Sequence, residues 1–280
     1  MALNVPQVRT NTVKRSGSSS SIGHSSIEHE NDLAPVTPRS RRNSDSSVNA
    51  SAAAPTAPGL IKPTTQHRTD KTTLYAGKNH KAVTLETKLL MEKSPYFKKL
   101  LSETPEPQAE QTTFEDADET ALAMFGARLH GKHLHGPNDF HSTGHYLGLY
   151  ALALKFGSEE LANQVIDLIR AYYATGNLTA PPYRLQYIYT YTPTANPLRK
   201  FLVATAAWRA LYGGEAGGGI SDAMKEVLGA DRALAGDFMQ ALVVLGRDAG
   251  KDPRRGGRCV WHLHEGTRKC EEGGVEPWED

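Results

Sequence analysis

The first aromatic residue of this chain is Tyr75, and its late position limits where a folded core can form. Residues 1–70 contain no Phe, Tyr or Trp and are rich in Ser, Thr, Pro, Asn and Ala. Such a segment buries too little apolar surface to offset the entropy lost on ordering, about 1–2 kcal/mol per residue for the backbone alone. We therefore predict a disordered arm over residues 1–70 and a folded region after it.

Helical periodicity is strongest between residues 146 and 172. One predicted helix ends at Gly157, and a second begins after Ser158, which we expect to cap it. Apolar residues recur at helical spacing in both segments, which predicts two buried faces and hence a helix hairpin. The first face comprises Tyr146, Leu149, Tyr150 and Ala153, and the second comprises Leu161, Val165, Leu168, Ile169 and Tyr172.

Shorter elements are predicted before this hairpin. Strands at 73–76 and 81–85 are separated by the turn-like GKNH and are predicted to form a two-stranded hairpin. Two helices follow, with Pro95 in the first turn of the second, then a strand at 112–114 and a helix that Asp118 caps and that ends near Leu129. After the helix hairpin, residues 176–248 are predicted to be helical. Residues 249–280 form a polar, Gly-rich tail that we expect to be weakly structured in isolation.

This order of elements resembles the BTB/POZ fold, and the residues agree with the order. Family members carry an apolar strand and then a Ser-Pro-aromatic-Phe step between two helices. Their helix hairpin is matched here by LYALALKFGSEELANQVIDLIRAYY, and IYTYTPTANPLRKFLVATAAW is similar to the segment that follows the domain in fungal members. The matching positions before the hairpin are Val83, Leu85, Glu86, Thr87, Leu90, Ser94, Pro95, Tyr96 and Phe97.

The resemblance implies an α+β fold with a small sheet flanked by helices. A BTB/POZ-like domain would occupy residues 71–175, an all-α extension residues 176–248, and a Cys/His-containing polar tail residues 249–280.

A BTB/POZ-like domain implies a non-enzymatic scaffold or regulator that binds protein partners and associates with itself. Such domains use exposed helix faces and a strand edge. The positions of this chain that would contribute to binding are Glu86, Tyr96, Lys98 and Leu100. The alternative is a substrate adaptor that binds a cullin scaffold in a ubiquitin ligase. The sequence weighs against an adaptor, because no separate substrate-binding domain is present.

Four residues near the C-terminus have the ligand types of a structural zinc site: Cys259, His262, His264 and Cys270. The spacing C-x2-H-x-H-x5-C could close a tetrahedral Zn²⁺ site and order the tail around it. The His-x-His step brings two ligands very close together, so a second interpretation stays open. In that interpretation the cysteines are reduced thiols, and Trp261 and Leu263 dock the tail on the helices as a short strand. No other cofactor is predicted.

Motifs of common enzyme classes are missing from the sequence: GxSxG, HExxH, GxxxxGK[ST], and GxGxxG after a strand. A histidine cluster is the remaining place for catalysis or a metal, and it comprises His130, His133, His135, His141 and His145. We favour a polar loop there, because the flanking helices are assigned to the core and Asp139 is the only carboxylate nearby. We predict no enzymatic activity and no small-molecule substrate.

The N-terminal arm contains two motifs of the kind that protein kinases recognise. Arg41 and Arg42 precede Ser44 at the distance that a basophilic kinase recognises, and Thr37 precedes a proline. These motifs make Ser44 and Thr37 candidate phosphorylation sites. We favour the other interpretation, a solvated linker in which the two motifs are accidental.

Charge and cysteine content bear on partners and location. The formal net charge is +1, which gives no general attraction to nucleic acid or an anionic membrane, and the basic residues of the tail are expected to be solvated. Two cysteines exclude a disulfide-dense secreted scaffold. The chain lacks an apolar leader and the roughly 18 apolar residues of a membrane span. We predict an intracellular protein of the cytoplasm or nucleus.

Overall fold

The first strand of the described residues contains Tyr75, the first aromatic residue of the chain. The computed structural model describes residues 70–104, 107–213, 218–247 and 251–270. Strands β1 (Lys71–Ala76) and β2 (Lys81–Glu86) form the predicted hairpin, and β3 (Thr113–Phe114) lies parallel to β1. The strand order β2-β1-β3 makes a small mixed sheet. The predicted arm, with Thr37 and Ser44, lies outside the described residues.

Helices make up most of the described chain. They are α1 (Thr87–Lys93), α2 (Pro95–Glu103), α3 (Ala109–Thr112), α4 (Glu119–Leu129), α5 (Ser142–Lys155), α6 (Glu159–Thr175), α7 (Pro182–Tyr191), α8 (Pro197–Tyr212), α9 (Asp222–Ala230) and α10 (Arg232–Arg247), followed by a 3₁₀ turn at Arg258–Trp261. The predicted α+β class is confirmed. None of the helices in the described ranges has the length and apolarity to cross a lipid bilayer.

The turn between α5 and α6 corrects one expectation. Gly157 ends α5 with a φ of +68°, in the left-handed region that favours glycine. Ser158 does not cap α6 with its side chain. Its backbone N–H donates to the Ala153 carbonyl (2.8 Å), and that of Gly157 to Leu154 (3.1 Å), so this turn fixes the chain at Ser158. Asp118 does cap α4, accepting from the Ala121 N–H at 2.6 Å.

Burial on α6 is shifted from the predicted stripe. Leu161, Val165 and Ile169 are buried as expected, whereas Leu168 and Tyr172 are only half-buried. Ile166 and Tyr173 are buried instead. The core-facing side of the helix is therefore turned toward these two positions, and Leu168 and Tyr172 lie at its edge.

The helical extension shares one hydrophobic core with the sheet and the α5–α6 hairpin. The Tyr150 hydroxyl of α5 donates to the Asn196 side chain at 3.0 Å, and Asn196 in turn caps α8. Burial raises the pKa of Tyr150 to about 12, so its hydroxyl keeps the proton that it donates. The predicted boundary near residue 176 thus falls at the end of α6, and one core extends across it.

Replacement of Ser94 by alanine is expected to lower the free energy of unfolding by about 2 kcal/mol. Its fully buried hydroxyl accepts from the Phe97 N–H at the start of α2 and donates to the Phe156 carbonyl at 2.7 Å. Urea denaturation measures the loss. Ser102→Ala, on the exposed side of α2, is the control and should change stability by less than about 0.5 kcal/mol. Equal losses would contradict this role.

Candidate functional site

The structure brings three of the four predicted zinc ligands to one point. The ligand atoms of Cys259, His264 and Cys270 lie within 4.8 Å of one another. His264 Nε2 is 3.3 Å from Cys259 Sγ and 3.8 Å from Cys270 Sγ. His262 lies outside this group of three, but its Nδ1 is 3.0 Å from Cys270 Sγ. The four side chains of the tail therefore lie next to one another.

His262 is held on its other side by an acidic residue of α6. Its side chain is only 6% exposed, and Nε2 lies 3.0 Å from Asp167 Oδ1. The two groups do not have the geometry of a hydrogen bond, so the contact is electrostatic. Asp167 also pairs with Arg170 Nη1 at 3.1 Å.

Polar residues along α6 hold the chain segment that carries these ligands. They share one face of the helix, because their spacing is i, i+4, i+8 and i+11. We call them the α6 polar row: Glu159, Asn163, Asp167 and Arg170. We call residues 251–270 the docked tail.

The two segments run antiparallel. Glu159 accepts from the Gly266 N–H at 2.8 Å, and Asn163 makes two 2.8 Å hydrogen bonds to the backbone of Leu263. At the far end, Arg170 Nη2 donates to the Gly256 carbonyl at 2.7 Å.

These contacts shift the acidity of several groups. Burial alone would raise the pKa of Glu159, but hydrogen bonds from Thr267 and Gly266 outweigh it and lower that pKa. The pKa of Asp252 is likewise lowered, because the bonds from Arg254 outweigh burial. Burial, together with the nearby Cys259, raises the pKa of the Cys270 thiol. Glu159 of α6 and Asp252 of the docked tail are therefore charged at neutral pH.

The basic residues of the tail are not all solvated, contrary to the prediction. Arg254 is buried and pairs with Asp252 at 2.7 Å. Its Nη1 also donates to the Asn177 side chain at 2.7 Å and to the Leu178 carbonyl at 3.1 Å. Arg254 therefore anchors the start of the docked tail to the end of α6.

In the second interpretation of the tail, Trp261 and Leu263 dock it as a short strand; the two residues do pack against the core, but the strand is wrong. Residues 258–261 form a 3₁₀ turn, and the Trp261 ring lies 5.5 Å from that of Phe201 in α8. Helix residues 159 to 170 rise only about 16 Å. A strand from Gly256 to Gly266 would reach about 33 Å. The tail must be compact to match its partners on α6.

The predicted binding residues near α2 differ in exposure. Glu86 and Lys98 are exposed, whereas Tyr96 and Leu100 are half-buried. The Tyr96 ring packs against Phe97 (5.0 Å between centroids) and Phe156 (5.7 Å). Each of the two half-buried residues thus presents part of an apolar side chain beside the exposed Lys98.

The histidine cluster does not gather around a centre. His130, His133, His135 and His141 are exposed, and His145 Nδ1 lies 3.0 Å from both Asp118 carboxylate oxygens. Among the described residues, Cys259, His264 and Cys270 are the only group of three or more potential ligands that converges. The polar-loop interpretation agrees with this arrangement.

An apolar cleft of about 880 Å³ lies between α8, α10 and the docked tail. Its wall includes Val203 and Val244 from the helices, and Pro253, Val260 and Trp261 from the tail. The Val260 side chain is 72% exposed there. The shape of this cleft thus depends on how firmly the tail is docked.

Comparison with known proteins adds no family to these observations. No protein-family model matches the chain, and no match is found among curated proteins or solved structures.

Proposed function

We propose that this protein is a non-enzymatic scaffold or regulator that self-associates through a BTB/POZ-like domain at residues 71–175. The observation that carries the proposal is the order and pairing of its elements. A hairpin is followed by a helix pair, and the chain then returns as β3, parallel to β1, before α4 and the α5–α6 hairpin. The same order underlies the sequence resemblance to that family.

The α1–α2 face and the β2 edge are the proposed contact surface. Within the described sheet, β2 pairs only with β1, so its outer backbone groups can accept another chain. Leu89, Met91, Tyr96 and Leu100 present half-buried apolar surface on the two helices. This surface is the proposed apolar centre of a dimer contact.

Charges around this face suit contact with a second copy. Lys88, Lys93, Lys98 and Lys99 are exposed beside the equally exposed Glu92 and Glu103. In a twofold dimer the same patch meets itself, so a surface with both signs can pair lysine with glutamate across the axis. A patch of one sign would repel its copy.

Sedimentation velocity of the full chain over a concentration series tests this proposal. We expect a concentration-dependent dimer that the double variant Lys98→Glu, Lys99→Glu weakens by at least about tenfold, because each change occurs twice in a twofold interface. Lys225→Glu, exposed on α9, is the matched control and should leave the dimer unchanged.

Two results would overturn self-association. One is a monomer at the highest attainable concentration, and the other is an unchanged dissociation constant in the double variant. A monomeric chain that binds the N-terminal domain of a cullin would instead favour the ligase-adaptor function.

A further inference from the structure

We propose that Cys259, His262, His264 and Cys270 bind one structural Zn²⁺ ion that fastens the docked tail to α6. This inference is independent of the proposed self-association. Two thiolates and two imidazoles are a ligand set that prefers zinc in tetrahedral geometry.

Three distances between nitrogen and sulfur ligand atoms are close to those of such a site. With ordinary zinc bond lengths, a nitrogen and a sulfur ligand lie about 3.5 Å apart. The corresponding distances here are 3.3 Å for Cys259 with His264, 3.8 Å for Cys270 with His264, and 3.0 Å for Cys270 with His262. Cys259, His264 and Cys270 thus already surround one point, and a turn of the His262 ring toward them would complete the set of four ligands.

The close His-x-His spacing is resolved by the use of different ring nitrogens. His262 faces the cluster with Nδ1, whereas His264 faces it with Nε2. His262 has an extended backbone (φ −96°, ψ 154°), and alternate residues of an extended chain point to the same side. Asn163 holds the intervening Leu263 by both its N–H and its carbonyl, which fixes this alternation.

Residues around the ligands provide the support that zinc histidines usually have. A metal-bound imidazole commonly directs its second nitrogen to a carboxylate or another polar group. His262 Nε2 lies 3.0 Å from the Asp167 carboxylate, in a side chain that is 6% exposed. His264 Nδ1 lies 3.5 Å from the Thr267 hydroxyl. The buried contact to Asp167 is independent of the distances among the four ligands.

All four ligands lie within the docked tail: three of them within six residues, and the fourth, Cys270, six residues later. A bound zinc would therefore hold this part of the tail in one conformation. The same segment is bound to α6 through Asn163 and Glu159. By holding the tail in one conformation, the metal would stabilise these polar contacts with α6 together. It would also stabilise the wall that the tail contributes to the apolar cleft.

The first test is the metal content of the full chain. The protein is purified under reducing conditions, and its zinc is measured by inductively coupled plasma mass spectrometry. We expect one zinc per chain. The cobalt-substituted protein should have the intense visible bands of a tetrahedral site with thiolate ligands. Cys259→Ser and Cys270→Ser should each bind zinc at least tenfold more weakly. His133→Ala, an exposed histidine of the α4–α5 loop, is the control and should bind zinc as the wild type does.

A measurement on the wild type alone covers the case in which a cysteine variant fails to fold. Removal of zinc by a chelator should speed hydrogen–deuterium exchange in residues 256–267, and added zinc should reverse the change. The proposal is overturned if less than about one tenth of the chains bind zinc after zinc is added in excess. Zinc retained in both cysteine variants would place the ion elsewhere. A Cys259–Cys270 disulfide that persists under the reducing conditions of the preparation would also overturn the proposal, because the two sulfurs could then not bind the ion as thiolates.

Discussion

Replacement of Phe156 by alanine is expected to lower the free energy of unfolding by about 3–5 kcal/mol, the range for a fully buried phenylalanine. The Phe156 ring has no exposed surface and lies within 4.8–5.2 Å of the rings of Phe97, Phe114 and Phe125. Truncation leaves a cavity between the sheet, the helix pair and α4, because the surrounding rings come from different elements. Urea denaturation followed by circular dichroism measures the loss.

The control for this prediction is Phe140→Ala. Phe140 is 50% exposed, and its ring contacts the Arg184 guanidinium at 4.2 Å. The loss there should be about 1 kcal/mol or less. If the two substitutions destabilise the protein equally, Phe156 is not the centre of the core.

The second large effect is expected for Asp167→Ala, which should lower the free energy of unfolding by about 3 kcal/mol. Arg170 is fully buried, and Asp167 is the carboxylate that pairs with it, at 3.1 Å. Removal of Asp167 leaves a cation in a low-dielectric environment without this counter-ion. The measurement is made with a chelator present, so that the loss reports the ion pair and not metal binding.

A surface pair with the same spacing provides the control. Asp222 pairs with Lys225 at 2.9 Å, also at i and i+3, but the Asp222 side chain is 98% exposed. Solvent and salt weaken such a pair, so Asp222→Ala should lower the free energy of unfolding far less than Asp167→Ala does. A loss for Asp167→Ala no larger than this would mean that water reaches the Arg170 pair.

The elements that the sequence predicts well are those with a strong local signal. The hairpin around Gly77, the start of α2 at Pro95 and the end of α5 at Gly157 depend on residues whose backbone preferences act over a few positions. The same local reasoning fails at Ser158, because a tight turn there controls the backbone. It also misplaces part of the buried face of α6, since Leu168 and Tyr172 lie at the edge of that face and are only half-buried.

The candidate metal centre could be predicted only in part. The ligand types and spacing of Cys259, His262, His264 and Cys270 are visible in the sequence. Their support is not, because Asn163 and Asp167 lie on a helix about a hundred residues earlier. One signal was present: polar residues recur on α6 at the spacing of a single helix face. That pattern is equally typical of a helix face in contact with solvent, so it does not by itself predict that a tail docks there.

The contacts of the docked tail with α6 also bear on the rate of unfolding. They join residues that are 86 to 108 positions apart in the chain. Closing so long a loop is entropically unfavourable until α6 and the core have formed, so these contacts are expected to form after the folding transition state. Interactions made that late slow unfolding and leave the folding rate nearly unchanged. We therefore expect the docked tail to slow unfolding, and the core to set the rate of folding.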